Sequence, residues 1–526
     1  MKKGEIYEGY IEEFDFPNKG SLFIDDRKVT VKETLPGQKV RFSISKKKTG
    51  MAEGRLLEVI ERSELEDIEP LCPYFGICGG CAYQNLSYKN QLKFKEDMVK
   101  KLIDKALPGH SYEWEGIIPS PVQIAYRNKM EFSFGDEYKD GPLALGLHKK
   151  GSFHDIVSVC ESRDFDEKKG IEDESGIAVE KSVNRETAIS DTSVNKKTGC
   201  MIINSDWRKI VQYTLTFFVE KNVPYYHRMK HEGILRNLVV RQSAATGEFL
   251  INLVTSTQWN TYGFDEKALL NKYANGLISL EENGELSEGG IIAGILYTEN
   301  DTLGDVVKSD KTICLYGNDY ITEEVMGLKF KISPFSFFQT NTKGCEVLYK
   351  KAREYIYEGG SFDESDRTKS DAYDTEMNNP SGKVVFDLYS GTGTIAQMMA
   401  PASKKVIGIE IVEEAVEAAR ENAKLNGLTN CEFIAGDVLK AIDLVSDKPD
   451  LIIVDPPRDG INPKALDKIL DFGVKQIVYI SCKPTSLARD LKIMDEKGYK
   501  LVKASCVDQF PFTRNIESIC LISKNQ

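Results

Sequence analysis

The chain has 526 residues, 41% of them hydrophobic and 29% charged, which is typical of a globular protein with more than one domain. Its 69 Lys and Arg stand against 81 Asp and Glu, so a net charge of -12 excludes nucleic-acid binding by overall charge alone. Its apolar runs are too short to cross a membrane, and its eleven cysteines do not form a disulfide-dense pattern. We expect a cytoplasmic protein without membrane association, and no segment indicates an obligate protein partner.

Residues 1–60 alternate apolar and polar positions in short runs that are separated by turn signals such as Pro36-Gly37. This pattern predicts a small antiparallel β-barrel, and barrels of this kind often bind oligonucleotides on one face. One predicted strand carries the basic run KVRFSISKKK at residues 39–48. The run would give an acidic protein a local basic face, although a solvated strand edge explains it equally well.

A helical pattern near residues 88–107 is followed by strand-rich sequence, so we assign residues 61–330 to a β-rich central domain. The helix is a candidate to pack against the domain that follows. Residues 161–200 are charged and poor in aromatic side chains, which predicts an insertion. Residues 359–382 contain almost nothing that could be buried and predict a flexible insertion.

The last segment, residues 331–526, contains short apolar runs that alternate with helical patterns from residue 383 onward. This alternation predicts a Rossmann-like α/β domain with a parallel sheet. Its first strand ends in DLYSGTGT, where Gly391 and Gly393 would let the backbone approach a ligand. Ala396 replaces the third glycine of the dinucleotide motif, so oxidoreductase function ranks last. The spacing from Asp387 to the glycines favours an S-adenosylmethionine (SAM) enzyme.

Three acidic residues end the next three predicted strands and are candidate cofactor ligands. Glu410 is placed to bind ribose hydroxyls, Asp437 to meet the adenine edge, and Asp455 ends the fourth strand. Asp455 precedes Pro-Pro, as in base-amine methyltransferases, but Arg458 stands where their aromatic residue would be. Cys482 ends the fifth strand, where it is either a nucleophile whose thiolate the neighbouring lysine favours or a small core residue.

Five motifs in order, SFFQTN (336–341), DLYSGTGT, IVDPPRDG, ISCKP and FPFTRNIES, resemble the uracil-5 RNA methyltransferases. That family makes 5-methyluridine in transfer or ribosomal RNA. The resemblance implies a TRAM barrel, a cysteine-bearing central domain, a Rossmann-like catalytic domain, and SAM as cofactor. It also implies 23S rRNA as the substrate, with tRNA as the alternative. A base-amine methyltransferase and a non-catalytic RNA-binding factor are the less favoured alternatives.

The resemblance also assigns roles to single residues. Cys482 would add to carbon 6 of the uracil, and Glu517 would remove the carbon-5 proton. Gln339 would contact the methionine part of the cofactor, with Tyr389 packed beside it. Phe512 and Asn515 stand where family members commonly carry histidines, which leaves the tuning of Glu517 open.

Cys72, Cys78 and Cys81 have the spacing Cys-x5-Cys-x2-Cys, which differs from the spacing of radical SAM enzymes. The resemblance implies that they hold a 4Fe–4S cluster together with a distant fourth cysteine. Cys160 is the candidate fourth ligand, and zinc bound by four thiolates is the alternative.

Overall fold

The computed structural model describes residues 1–152, 154–160, 199–304, 310–357 and 382–524. Apart from Gly199, Cys200 and Gly382, the two predicted insertions lie outside these ranges.

The N-terminal residues form one sheet of six strands, in the spatial order β1-β5-β6-β4-β3-β2. The strands are β1 (Ile6–Tyr10), β2 (Glu13–Asp15), β3 (Lys19–Ile24), β4 (Arg27–Lys32), β5 (Lys39–Lys48) and β6 (Met51–Glu61). All pairs are antiparallel except β4 with β6. Alternate residues such as Val29, Val31 and Phe42 are fully buried in a small core. The closure of this sheet into a barrel stays a prediction.

A second sheet of seven strands forms the middle of the chain, in the order β10-β9-β8-β11-β12-β13-β14. Its strands are β8 (Lys129–Asp136), β9 (Leu143–His148), β10 (Ile156–Ser158), β11 (Leu235–Gln242), β12 (Glu248–Thr255), β13 (Ile291–Glu299) and β14 (Lys311–Gly317). Helices α2 (Ser205–Glu220) and α3 (Glu266–Glu282) bury one face each against it, for example Trp207 and Leu277. The hairpin β15 (Ile321–Val325) and β16 (Leu328–Ile332) leads to the last segment.

The third sheet has eight strands in the order β19-β18-β17-β20-β21-β23-β22-β7. The strands are β7 (Glu113–Ile118), β17 (Val384–Leu388), β18 (Lys405–Glu410), β19 (Cys431–Ala435), β20 (Leu451–Val454), β21 (Gln476–Ser481), β22 (Tyr499–Val507) and β23 (Glu517–Lys524). The helices are α4 (Thr342–Tyr357), α5 (Thr394–Met399), α6 (Glu413–Leu425), α7 (Val438–Ala441), α8 (Pro463–Asp471) and α9 (Pro484–Glu496). Strands β17 to β21 are parallel, and all of them except the edge strand β19 are almost wholly buried, as a sheet covered on both faces requires. The expected α/β architecture is confirmed.

Two elements from the predicted central segment belong physically to the third sheet. Strand β7 pairs in parallel with β22 and forms its edge. Helix α1 (Tyr88–Ala106) packs against α9 and buries Phe94, Met98 and Val99 in the same core as Leu491. Both elements therefore pack with the last segment, although the sequence analysis assigns them to the central one.

Among the described residues, no helix combines the length and the apolar character that a membrane crossing requires.

Candidate active site

The third sheet brings most of the predicted site residues to one edge. The chain proceeds from β17 to β18 and β19 on one side and then to β20 and β21 on the other, so the order of strands reverses between β17 and β20. Such a reversal opens a crevice above the carboxyl ends of the strands. The register pairs Leu388 with both Ile409 and Val454, so Tyr389, Glu410 and Asp455 follow one another across this crevice.

The glycine loop and Glu410 form one side of the crevice. Gly391 and Val412 donate their backbone N–H groups to the two Glu410 carboxylate oxygens, both at 3.0 Å. Gly393 has φ +71°, and a Cβ there would lie 2.6 Å from the Phe433 ring, so the loop needs glycine at this position. The hydroxyl of Ser390 is buried and has no hydrogen-bond partner among the described residues. An orphaned polar atom beside an anchored carboxylate fits a site for a polar ligand.

Asp387 and Asp437 have local hydrogen bonds on the same edge. Asp387 is fully buried and accepts the Ala396 N–H at 2.9 Å, which anchors the start of α5. Asp437 is exposed and caps α7 by accepting the Leu439 N–H at 2.8 Å. Burial raises the pKa of Asp387 to about 8, and burial also raises the pKa of Asp455 to about 7.

Gln339 lies between the second and third sheets. Its backbone carbonyl accepts a hydrogen bond from the Asn128 side chain at 3.0 Å, and its side-chain oxygen accepts one from Gln509 at 2.8 Å. Arg241, fully buried on β11, donates to the carbonyls of Pro334 and Ser336 just before this segment. The position of Gln339 therefore depends on residues that the sequence motifs did not single out.

Cys482 and Glu517 meet where β21 and β23 pair. Ser481 is the register partner of Ser518 in this antiparallel pair, so Cys482 and Glu517 stand opposite each other. Glu517 is 2% exposed, whereas Cys482 is partly exposed at the crevice. The structure thus brings together, from two neighbouring strands, the two residues to which the family resemblance assigns catalysis.

Arg458 contacts the same pair. The pKa of Cys482 is raised to about 11, by burial first and then by Glu517 and Asp455, while the Arg458 guanidinium, which hydrogen-bonds to the sulfur, opposes the shift. Burial and then Asp455 also raise the pKa of Glu517 well above its usual value, and Arg458 again opposes the shift. The sequence predicted that Lys483 is the cation that favours the Cys482 thiolate. The structure places the Lys483 ammonium 3.9 Å from Asp459 and makes Arg458 the cation at the thiol.

The predicted fourth cysteine lies against the segment of the first two. The Tyr74 hydroxyl, between Cys72 and Cys78 in the chain, donates to the Cys160 carbonyl at 3.3 Å. The thiol of Cys160 donates to the Arg208 carbonyl of α2 at 3.3 Å. Cys200 is also buried, and burial raises its pKa. The identity of the fourth ligand stays a prediction.

Cysteine thiols have the soft-donor chemistry that an iron–sulfur cluster or zinc requires. Within the described ranges, however, no group of three or more His, Cys, Asp or Glu side chains is arranged to hold a metal ion. Burial raises the pKa of Cys72, and a hydrogen bond from the Met201 backbone N–H opposes this rise. The segment after Cys200 therefore lies against the first cysteine.

The basic run on β5 is partly neutralised by acidic neighbours. Lys39 pairs with Glu61 at 3.2 Å, and Arg41 contacts Glu58 at 2.6 Å as well as a second glutamate on β1. Lys46 at the far end of the strand is exposed. Only the end of the run is therefore a candidate nucleic-acid contact.

Comparison with known proteins places these features in a family. Residues 367–525 match the family model described as tRNA (Uracil-5-)-methyltransferase. A relative from Clostridium tetani, described as an uncharacterized RNA methyltransferase, is 44% identical over 520 residues and covers 99% of this chain and 98% of its own length. A relative of the same description from Caldanaerobacter subterraneus is 42% identical over 525 residues and covers 100% of both chains.

Among solved structures, the Pyrococcus abyssi tRNA (uracil-54, C5)-methyltransferase in complex with S-adenosyl-L-homocysteine has a TM-score of 0.64. The alignment covers 98% of this chain and 100% of that chain at 22% identity, so it shows a shared fold. The family-model match and the full-length relatives show that this chain belongs to the uracil-5 RNA methyltransferase family and is an RNA methyltransferase.

Proposed function

We propose that the protein methylates carbon 5 of a uridine in RNA with SAM as methyl donor. The observation that carries this proposal is the meeting of Cys482, Glu517 and Arg458 at the carboxyl edge of the third sheet. Methylation of an exocyclic amine needs no covalent nucleophile, so a partly exposed thiol beside a cation favours carbon-5 chemistry. SAM supplies an electrophilic methyl group, and Glu410, Gln339 and Tyr389 are the residues proposed to hold it.

The proposed chemistry assigns one step to each member of the pair. The Cys482 thiolate adds to carbon 6 of the uracil, which makes carbon 5 nucleophilic and able to accept the methyl group. The Glu517 carboxylate then takes the carbon-5 proton. The electrons of that C–H bond form the carbon 5–carbon 6 double bond as the C–S bond breaks, which restores the thiolate. The guanidinium of Arg458 stabilises the charged forms of both residues.

We propose 23S rRNA as the substrate class, with tRNA as the alternative. The exposed end of the basic run on β5 supports an RNA contact beyond the target nucleotide. Unmodified 23S rRNA and tRNA, both made by transcription in vitro, separate the two classes when each is offered with radiolabelled SAM. Label in 5-methyluridine of the tRNA alone would overturn the rRNA assignment.

The test of the chemistry is a covalent trap. RNA that contains 5-fluorouridine cannot lose fluorine as a proton, so the cysteine adduct persists on a denaturing gel. We expect an adduct with the natural enzyme and with Cys314→Ala, which removes an exposed thiol outside the site. Cys482→Ala should give none. Methyl transfer to ordinary RNA without any adduct would move the protein to the amine-methylating class, and neither signal with either RNA class would favour an RNA-binding factor.

We also propose that Cys72, Cys78, Cys81 and Cys160 hold a 4Fe–4S cluster. The hydrogen bond from the Tyr74 hydroxyl, which lies between Cys72 and Cys78 in the chain, to the Cys160 carbonyl supports this choice. Cys200→Ser and Cys160→Ser form a matched pair, purified without oxygen and analysed for iron and acid-labile sulfide. We expect retention of both in the first variant and loss in the second. Zinc in the natural protein would select the alternative metal, and a metal-free natural protein would overturn the proposal.

A further inference from the structure

A charged side chain on α1 reaches the segment that precedes the candidate general base. Lys95 is completely buried, and its ammonium lies 2.6 Å from an Asp508 carboxylate oxygen. The same ammonium donates to the backbone carbonyls of Phe510 at 3.1 Å and Asn515 at 3.2 Å. All three acceptors belong to residues 508–515, which connect β22 to β23. Three acceptors around one ammonium hold this connection in a single arrangement.

A second side chain of the same helix face holds the middle of the connection. Gln91 is fully buried, and its side-chain oxygen accepts the Phe512 N–H at 3.0 Å. The Phe512 carbonyl accepts the N–H groups of Ala82 at 2.7 Å and Tyr83 at 2.9 Å. Phe512 has φ +66°, a left-handed conformation that is strained for a residue with a large side chain. Such a conformation persists only when the surroundings impose it, and here α1 and the turn before it do so.

The connection touches both halves of the proposed chemistry. Asn515 stands two residues before Glu517, which begins β23. At the other end, Gln509 donates to the side-chain oxygen of Gln339 at 2.8 Å, and its carbonyl accepts a hydrogen bond from Asn341 at 2.7 Å. An error in the path of this connection would therefore displace the glutamate from the reacting carbon.

Stability alone does not account for a buried ion pair here. Desolvation of two charges offsets most of their attraction, and well-packed apolar residues often stabilise such a site as well or better. The specific gain from Lys95 is a fixed geometry for the carbonyls that precede Glu517.

We propose that Lys95 is a positioning residue for Glu517, holding residues 508–515 so that the carboxylate faces carbon 5 of the bound uracil. The inference rests on the proposed function. Lys95 takes part in no bond change itself. It acts at the second half of the reaction, when the carbon-5 proton passes to Glu517 and the C–S bond to Cys482 breaks.

The test separates methyl transfer from proton removal in Lys95→Met. RNA tritiated at carbon 5 of uridine releases tritium to water only on proton removal, whereas labelled SAM reports methyl transfer. We expect the single-turnover methyl transfer of Lys95→Met to stay close to that of the natural enzyme. Tritium release should slow by at least roughly tenfold, since a positioned general base contributes on the order of 10²–10⁴-fold. The methylated enzyme–RNA adduct should then accumulate on a denaturing gel with ordinary uridine RNA.

Two controls guard the interpretation. Lys93→Met changes a lysine of the same helix whose side chain is 72% exposed and pairs with Asp97, and it should behave like the natural enzyme. The double variant Lys95→Met/Asp508→Asn removes the carboxylate that the single variant leaves buried without its cation, and it should show the same stalled elimination.

The outcomes distinguish this inference from the proposed function. Glu517→Gln should accumulate the adduct whether or not Lys95 positions it, so absence of any adduct in that variant would count against the proposed function. An adduct with Glu517→Gln but unchanged tritium release in both Lys95 variants would overturn the positioning role. Loss of folded protein in both Lys95 variants would also overturn it, because the ion pair would then serve stability.

Discussion

Cys482 and Glu517 begin from protonation states opposite to those that their proposed chemistry needs. Burial favours the neutral thiol, with a pKa raised to about 11, and the neutral carboxyl of Glu517, whose pKa is also raised. Both groups must lose a proton, so activity should rise with pH across the neutral range. Arg458 is the cation that opposes both shifts, which makes its charge the adjustable part of the pair.

Replacement of Arg458 by Met should raise the pKa of Cys482 further. The rate of adduct formation with 5-fluorouridine RNA should fall at neutral pH, by roughly tenfold for each unit of pKa rise, and should keep rising to higher pH than in the natural enzyme. Single-turnover rates between pH 6 and pH 9 measure this. Lys483→Met should have the smaller effect. Equal losses in the two variants would return the activating role to the neighbouring lysine.

Asp455 makes the ligand-free protein sensitive to pH in a predictable direction. Its pKa is raised from 3.8 to about 7, so the folded state binds a proton that the unfolded chain has already released over that range. The stability from this protonated carboxyl is present below about pH 4 and is lost as pH rises through 7.

Asp455→Asn mimics the neutral form. Its melting temperature, relative to that of the natural protein without ligand, should therefore increase between pH 5 and pH 8. Asp459→Asn, which alters a fully exposed neighbour, should show no such trend. A constant difference across the pH range would show that Asp455 is ionised in the folded protein.

At the scale of elements, the loop between β17 and α5 depends on a close approach. Gly393 begins α5 with φ +71°, and an added Cβ would lie 2.6 Å from Phe433 and 2.9 Å from the Ala419 side chain. Gly427 has a similar φ of +66° but nothing within 4 Å, so it carries the conformational cost without the overlap.

Gly393→Ala should therefore weaken SAM binding and lower the melting temperature more than Gly427→Ala. Strain of about 1–2 kcal/mol is common to both variants, and overpacking adds about 1–3 kcal/mol to the first alone. Calorimetric titration with SAM and thermal melting give the two readouts. Equal effects in the two variants would mean that the Phe433 ring moves aside without cost.

At the scale of the whole molecule, the residues that flank segment 161–198 lie against each other. Cys200 donates its N–H to the Val159 carbonyl at 2.9 Å, and Gly199 packs against the backbone of Cys160. The fold on either side of the segment is therefore continuous without it.

Deletion of residues 161–198, which joins Cys160 to Gly199, should leave the protein folded and able to methylate RNA. Its melting temperature should change by no more than about 4 °C, since loop length alters closure entropy only slowly. Restoring the segment with a Gly/Ser sequence of equal length gives the matched control. A large loss of activity in both variants would show that the segment contributes to RNA binding.

Much of the last segment could be predicted, because its signals are local. Strand and helix periods alternate in one stretch of chain, and residues at strand ends such as Glu410 and Asp455 meet because parallel strands share a carboxyl edge. The five motifs were sufficient to indicate the family. The roles of Cys482, Glu517 and the cofactor residues stay predictions that the geometry supports.

The sequence by itself determined the α/β class and the family of this protein, since both are written in local periodicity and in short motifs. Only the tertiary structure decided which distant residues meet. It joined β7 to the third sheet and selected Arg458 over Lys483 at the thiol. Lys95 and Asp508 carry no motif, and their contact depends on burial of a helix against a sheet more than four hundred residues later in the chain. Packing of this kind leaves no local trace, because it depends on shape and desolvation across the whole fold.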